Sequence, residues 1–182
     1  MMPAAAAVAL ASQPHRSVAG TELAPTGATP DLKPMPRIVG LFIRSFNYSG
    51  PSSYIVHAET RAADGKNAYV DADSPFAALP ADLAGADWVQ AANRDSLYSA
   101  VDLMEVAVAA GSVVSIAHDD RLTRPAWLTR QFLQTATRIK LNRQTMTVFQ
   151  RRIERDESLT LGANAERQAA PANMYVVFIQ GK

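Results

Sequence analysis

The stretch SIAHDDRLTRPAWL, residues 115 to 128, sets His118, Asp119, Asp120 and Arg121 side by side: a base, two acids and a cation in one short run. Acid–base or nucleophilic catalysis asks for more than adjacency. A histidine must reach the group it deprotonates and be oriented by a carboxylate, an arrangement made in space. A chain that reverses direction uses the same residue types differently: an Asp carboxylate accepts backbone N–H groups, and an Arg guanidinium braces it through two parallel hydrogen bonds. His118, Asp119 and Asp120, with Trp127 following Pro125, are therefore read as a structural corner at the end of a strand. No residue is assigned a catalytic role.

The stronger signal is charge. Nine of the eighteen basic residues and one of the seventeen acids lie between Arg121 and Arg155, so that stretch carries +8 and the remainder −7, although the net charge is only +1. A concentrated field steers association with opposite charge in a way that the total conceals. Arg121, Arg124, Arg130, Arg138, Lys140, Arg143, Arg151 and Arg152 are the candidate contacts to an anionic partner, with Arg155 as the ninth cation and Glu154 as the acid. Tyr48 and Tyr54, flanking the turn NYSGPSS, are candidate platforms for a sugar ring. Trp88, inside a strand-like run, and Trp127 are read as core or corner anchors. The competing reading places the arginines on a solvated face opposed by acids from elsewhere in the fold, which makes their pairing the deciding observation.

Other chemistries find little support. Cysteine is absent, which removes disulfides, thiolate metal sites and a cysteine nucleophile. Three histidines, His15, His57 and His118, are too few and too scattered to point to a three-histidine metal site. DADSP, Asp71 to Pro75, offers two carboxylates, but the glycine and distal glutamate of a calcium-binding EF-hand are missing, and a turn with Asp capping is expected. No phosphate-binding or dinucleotide fingerprint occurs, so no cofactor and no metal are assigned. Nucleic acid is disfavoured because aromatics do not interleave the basic stretch.

The elements that must position these residues read as strands. With 48% hydrophobic and 19% charged residues among 182, the chain has enough apolar surface for one domain of ordinary size. MMPAAAAVALASQ resembles the end of a secretory signal, with small residues before Ser12, and five prolines between Pro14 and Pro36 mark a linker or arm. Residues 1–36 are thus taken as a signal remnant and Pro-rich arm, and residues 37–182 as the domain. Beyond Pro36 come RIVGLFI, SSYIVHAE, NAYVD, ADWVQAA, VDLMEVAV, SVVSIAH, TMTVFQRR and NMYVVFIQ, short runs rich in β-branched and aromatic residues. About eight strands at this spacing predict a single all-β, antiparallel sandwich or jelly roll. VDLMEVAV and SVVSIAH, joined at Gly111, are expected to pair as a hairpin. NMYVVFIQ is apolar on both faces and belongs in the middle of a covered sheet. TRPAWLTRQFLQ is the one helical stretch, with Thr123 expected to cap it.

Five blocks in order, LPADLAGADWVQAANRDS, SVVSIAHDDRLTRPAWL, MTVFQRRI, LTLGAN and NMYVVFI, resemble a β-sandwich module of secreted bacterial proteins. In that module VPxxLxGAxWIxTANDDK leads to VYVAHDxR, PxWL, LYxKxF, VxLGxN and MYxVxV. Such modules are appended to polysaccharide lyases, glycoside hydrolases and cell-surface proteins, and are usually non-catalytic. The resemblance covers about residues 67 to 180 and implies a fold and an exported protein; function comes from it only by association. The chain departs from the pattern at NRDS, Asn93 to Ser96, and in the basic stretch after Trp127. Two roles follow for a periplasmic or secreted protein with no transmembrane helix of its own. One is a non-catalytic binding module docking an acidic polysaccharide, or an acidic protein surface, through the basic face. The other is an accessory subunit bracing a periplasmic or membrane-associated complex, including electron-transfer or photosynthetic assemblies. A uronate lyase is the enzymatic alternative.

Overall fold

In the computed structural model, residues 42–165 and 172–181 are described. The expected leader and arm, residues 1–36, lie outside them, as does RIVGLFI except for its last two residues. The described residues form nine strands: β1 (Ile43–Tyr48), β2 (His57–Glu59), β3 (Asp87–Gln90), β4 (Met104–Val108), β5 (Ser112–Asp119), β6 (Leu133–Leu141), β7 (Gln144–Arg152), β8 (Glu157–Leu161) and β9 (Val176–Gly181). One short helix, α1 (Ala126–Gln131), and a 3-10 turn (Asn93–Leu97) interrupt them.

The strands form two antiparallel sheets, one of three strands in the order β1-β4-β8 and one of six in the order β2-β3-β9-β5-β7-β6. The fold is an all-β antiparallel sandwich. β9 lies inside the larger sheet between β3 and β5, and Met174 through Ile179 are all buried, as a run apolar on both faces requires. Asp87 on β3 reaches across to the smaller sheet, its Oδ2 accepting from the backbone N–H groups of Phe42 and Ile43 at 2.6 and 3.2 Å. The opposite face of the large sheet is covered by residues of the long β2–β3 connection: Phe76 packs against Trp88 and Phe178 with ring centroids 5.8 and 5.4 Å apart.

Several expectations need correction. β4 and β5 are not hairpin neighbours. β4 pairs with β1 and β8, whereas β5 pairs with β7 and β9, so the chain crosses from one sheet to the other at Gly111. Its φ of +81° is the positive value expected there, but a turn that tight also serves a sheet-to-sheet crossing. NAYVD makes only isolated bridges, Asn67 with Pro75 and Tyr69 with Ala91. β6 and the strand character of β8 were not among the eight runs. α1 begins after Pro125, which occupies the cap position, and Thr123 makes no capping bond.

Candidate functional site

The corner after β5 is built from its own side chains. The Nε2–H of His118 donates to the Asn164 carbonyl at 2.8 Å. Burial drives the His118 pKa below the ordinary imidazole value, against the pull of that carbonyl and of Asp119. Asp119 is fully enclosed. Its Oδ1 accepts from the Arg121 backbone N–H and Nε at 3.0 Å each, and its Oδ2 from Arg121 Nη2 at 2.6 Å and the Asn173 N–H at 2.9 Å. Burial by itself would raise the Asp119 carboxyl, yet these donors outweigh it and hold the pKa below the usual carboxylate value. Asp120 Oδ1 accepts from the Thr147 hydroxyl and from the Thr147 N–H, the latter at 3.1 Å.

The five resemblance blocks meet around this corner. Asn164 Oδ1 accepts from the Tyr175 N–H at 3.1 Å, Asn164 Nδ2 donates to the Asn173 carbonyl at 3.0 Å, and Asn93 Oδ1 accepts from the Met174 N–H at 2.9 Å. Thr147 belongs to MTVFQRRI, the third of these blocks, on β7. Together these bonds secure residues 173–175, the entry to β9. The shared motif is thus largely the hydrogen-bonding frame of the sandwich. Asn164 and Asn173 are legible in the sequence only as members of LTLGAN and NMYVVFI, and Asn93 only as the first residue of NRDS.

The nine cations separate into groups. Arg121 is committed to Asp119, and Arg151 Nη2 is held by both oxygens of Glu157 at 2.9 and 2.8 Å. These two leave the proposed contact set because each is clasped by its own carboxylate. Arg152 is the last residue of β7, roughly 17–23 Å from the β6 cations at ~3.3 Å per residue, and Arg155 follows the strand. Arg130 is exposed on α1. Arg124, Arg138 and Lys140 come together. The ladder sets Arg138 opposite Thr147 and Lys140 opposite Thr145, and Arg124 covers the Phe149 ring at 5.3 Å. Residues 145, 147 and 149 alternate onto one face, so the three cations share that face at the β6 edge. Arg138 Nη1 also donates to the carbonyls of Thr135 and Thr137 at 3.0 Å each, where β6 bulges. Asp120 meets the same rung at Thr147, so the face carries one acid beside the cations. Arg143 stands at the exposed tip of the β6–β7 turn with φ +63°.

The tyrosines do not join this face. Tyr48 is buried and its hydroxyl donates to Asp95 Oδ2 at 3.1 Å, as the Ser52 N–H also does at 3.0 Å, while the Ser52 hydroxyl donates to Asp95 Oδ1 at 2.8 Å. It is corrected from platform to core: its ring has no free face, and burial followed by Asp95 drives its pKa far up. Tyr54 is 80% exposed, but on the turn leading to β2, the edge opposite β6 and about 24 Å away at ~4.8 Å per strand. Asp71 caps the 3-10 turn, accepting from the Asn93 N–H at 2.7 Å and from Arg94 N–H and Nε at 3.1 and 2.9 Å. Among the described residues no cluster of potential ligands could hold a metal.

Sequence reasoning did not find a cleft of about 560 Å³ beside Trp127, walled by Val101, Pro125, Gly162 and Ala163. Trp127 Nε1–H donates to the Ala163 carbonyl at 2.9 Å, and its ring meets Tyr175 edge-on at 5.3 Å. The Trp in PAWL was its only sequence signal, because the walls come from three separated segments.

No family model matches the chain. A beta-glucuronidase of Formosa agariphila is 30% identical over 139 residues, which are 75% of this chain and 14% of that enzyme. The solved structure of a beta-glucuronidase from glycoside hydrolase family 2 superposes with a TM-score of 0.73 and 28% identity, over 77% of this chain and 15% of that one. The chain therefore spans about one seventh of the length of the relatives it matches. It is similar to one portion of a larger glycoside hydrolase.

Proposed function

We propose that this chain is a non-catalytic, carbohydrate-associated β-sandwich module that binds an acidic glycan along the β6 edge. The observation that carries the reading is the shared face of Arg124, Arg138 and Lys140, with Arg143 at the adjoining tip, none of them ion-paired with a carboxylate among the described residues. A row of cations on an exposed edge meets a linear polyanion repeatedly, and Arg presents a planar fork that suits carboxylates. The edge also guards against strand-to-strand association, which charged side chains on an edge oppose. Likeness to part of a beta-glucuronidase supports the carbohydrate association and an exported setting. Among the described residues no helix is long and apolar enough to cross a membrane.

The non-catalytic reading rests on two facts. The matched stretch is a minor share of the enzyme, and the acid–base residues of the corner are enclosed and already bonded. Affinity electrophoresis through gels containing polygalacturonate or polyglucuronate tests the binding. Retardation that fades toward about 0.3 M salt is expected, because the screening length of exposed charges falls to roughly 6 Å there. Unretarded migration in every acidic polymer would overturn the reading and favour an accessory subunit with a protein partner. Unsaturated, ultraviolet-absorbing products appearing from a polyuronate would instead establish a lyase.

A further inference from the structure

We propose that the cleft beside Trp127 is a second carbohydrate subsite, one that takes an uncharged pyranose ring. The inference rests on the carbohydrate reading above, but on a different part of the surface. Among the described residues, nine line the cleft and none is charged, so these side chains offer nothing to offset a buried carboxylate. The wall instead offers an indole, a proline ring and small residues, the flat apolar surface on which the C–H face of a sugar stacks. At about 560 Å³ the cleft lies within the ordinary range for small-molecule sites.

The platform is held in place. Trp127 is fixed by its bond to the Ala163 carbonyl, the Ala163 N–H donates to the Ala100 carbonyl at 2.7 Å, and the Tyr175 hydroxyl donates to the Gly162 carbonyl at 3.1 Å. Gly162 permits the close fit: a Cβ there would stand 2.8 Å from Trp127 Cδ1. Val101, on the cleft wall, is apolar and 90% exposed. An indole held by one hydrogen bond against a wall that is itself hydrogen-bonded at Ala163 and Gly162 is a preorganised surface, and exposed apolar patches of this kind mark binding sites. Ser99 is the one hydroxyl-bearing residue among the described lining residues.

The two tryptophans make the test direct. Trp88 is 1% exposed, so a ligand in the cleft changes the emission of Trp127. The full chain is titrated with xylotetraose, cellotetraose and methyl α-L-rhamnopyranoside as neutral probes and with tetragalacturonate as the charged one. The proposal expects at least one neutral probe to give a saturable emission change that is unaltered by about 0.3 M salt and by Lys140→Glu. Val101→Asp, at an exposed position that tolerates the change in the fold, should weaken that response about tenfold, and Gly162→Ala should do so by displacing the indole. No emission change with any neutral probe would overturn it. So would a response to tetragalacturonate alone that disappears with salt or with Lys140→Glu, an outcome that leaves the acidic-glycan reading standing. A dimer that Val101→Asp converts to monomer in sedimentation would overturn it as well, because a second copy would then cover the cleft.

Discussion

Arg143 occupies a backbone position that favours glycine. At φ +63° in a two-residue turn after Asn142, itself at φ +50°, a side chain with a Cβ is strained where Gly is the usual residue. Strain retained at an exposed tip points to use of the side chain. Arg143→Gly is therefore expected to raise stability by about 0.5–1 kcal/mol in urea unfolding and to weaken binding to an acidic glycan. A variant that gains stability and binds as before would assign the arginine no role. His118 gives a pH prediction. Its folded pKa is depressed below that of the unfolded chain, so its contribution is fully present above about pH 6.5 and is lost as pH falls through the lower folded value. Asp119, also depressed, adds a second loss only below the ordinary carboxylate range. The melting temperature should thus decline as pH drops from about 6.5, and His118→Gln, which keeps a donor for Asn164, should flatten that limb while leaving the steeper fall below about pH 4. An unchanged limb in the variant would place the titrating group elsewhere.

At the scale of elements, what was legible in the sequence depended on burial. β9 announced itself because every residue from Met174 to Ile179 is apolar and both faces are covered, a pattern few other elements produce. β6 did not, because it is an edge strand with exposed Leu133, Gln134, Ala136, Arg138 and Lys140, and a bulge between Gln134 and Arg138 breaks the alternation. Its first residues also continue the apolar spacing of α1, which made the helix look longer. The β4–β5 connection was misassigned for another reason: periodicity identifies strands but not which sheet each joins, and Gly111 serves a crossing as readily as a hairpin. These differences predict an energetic gradient across the large sheet. Phe178→Ala on β9 should cost about 3–5 kcal/mol in urea unfolding, whereas Leu133→Ala on β6 should fall within about 0.5 kcal/mol of the parent. Comparable losses at both positions would contradict an edge placement for β6.

For the whole molecule, the shared motif and the partner signal occupy different residues. His118, Asp119, Asn164, Asn173 and Asn93 secure the entry to β9, so a likeness built on them reports the sandwich and little about a ligand. The cations that distinguish this chain sit mostly between those blocks, on β6 and its turn. Their number could be counted in the sequence. Their pairing could not, since Arg151 finds Glu157 across the gap between the two sheets and Arg121 folds back on Asp119 within the turn. The cleft was invisible for the same reason, being assembled from residues near 100, 126 and 163.

The central claim is that the β6 face, and not basic charge in general, engages an acidic glycan. Isothermal titration of the full chain with polygalacturonate tests it most directly by comparing two charge reversals of equal size. Arg138→Glu with Lys140→Glu should lower affinity about tenfold or more, while Arg152→Glu with Arg155→Glu, at and just past the far end of β7, should change it by less than about threefold. Equal losses from the two pairs, or no binding by the parent chain, would contradict the account.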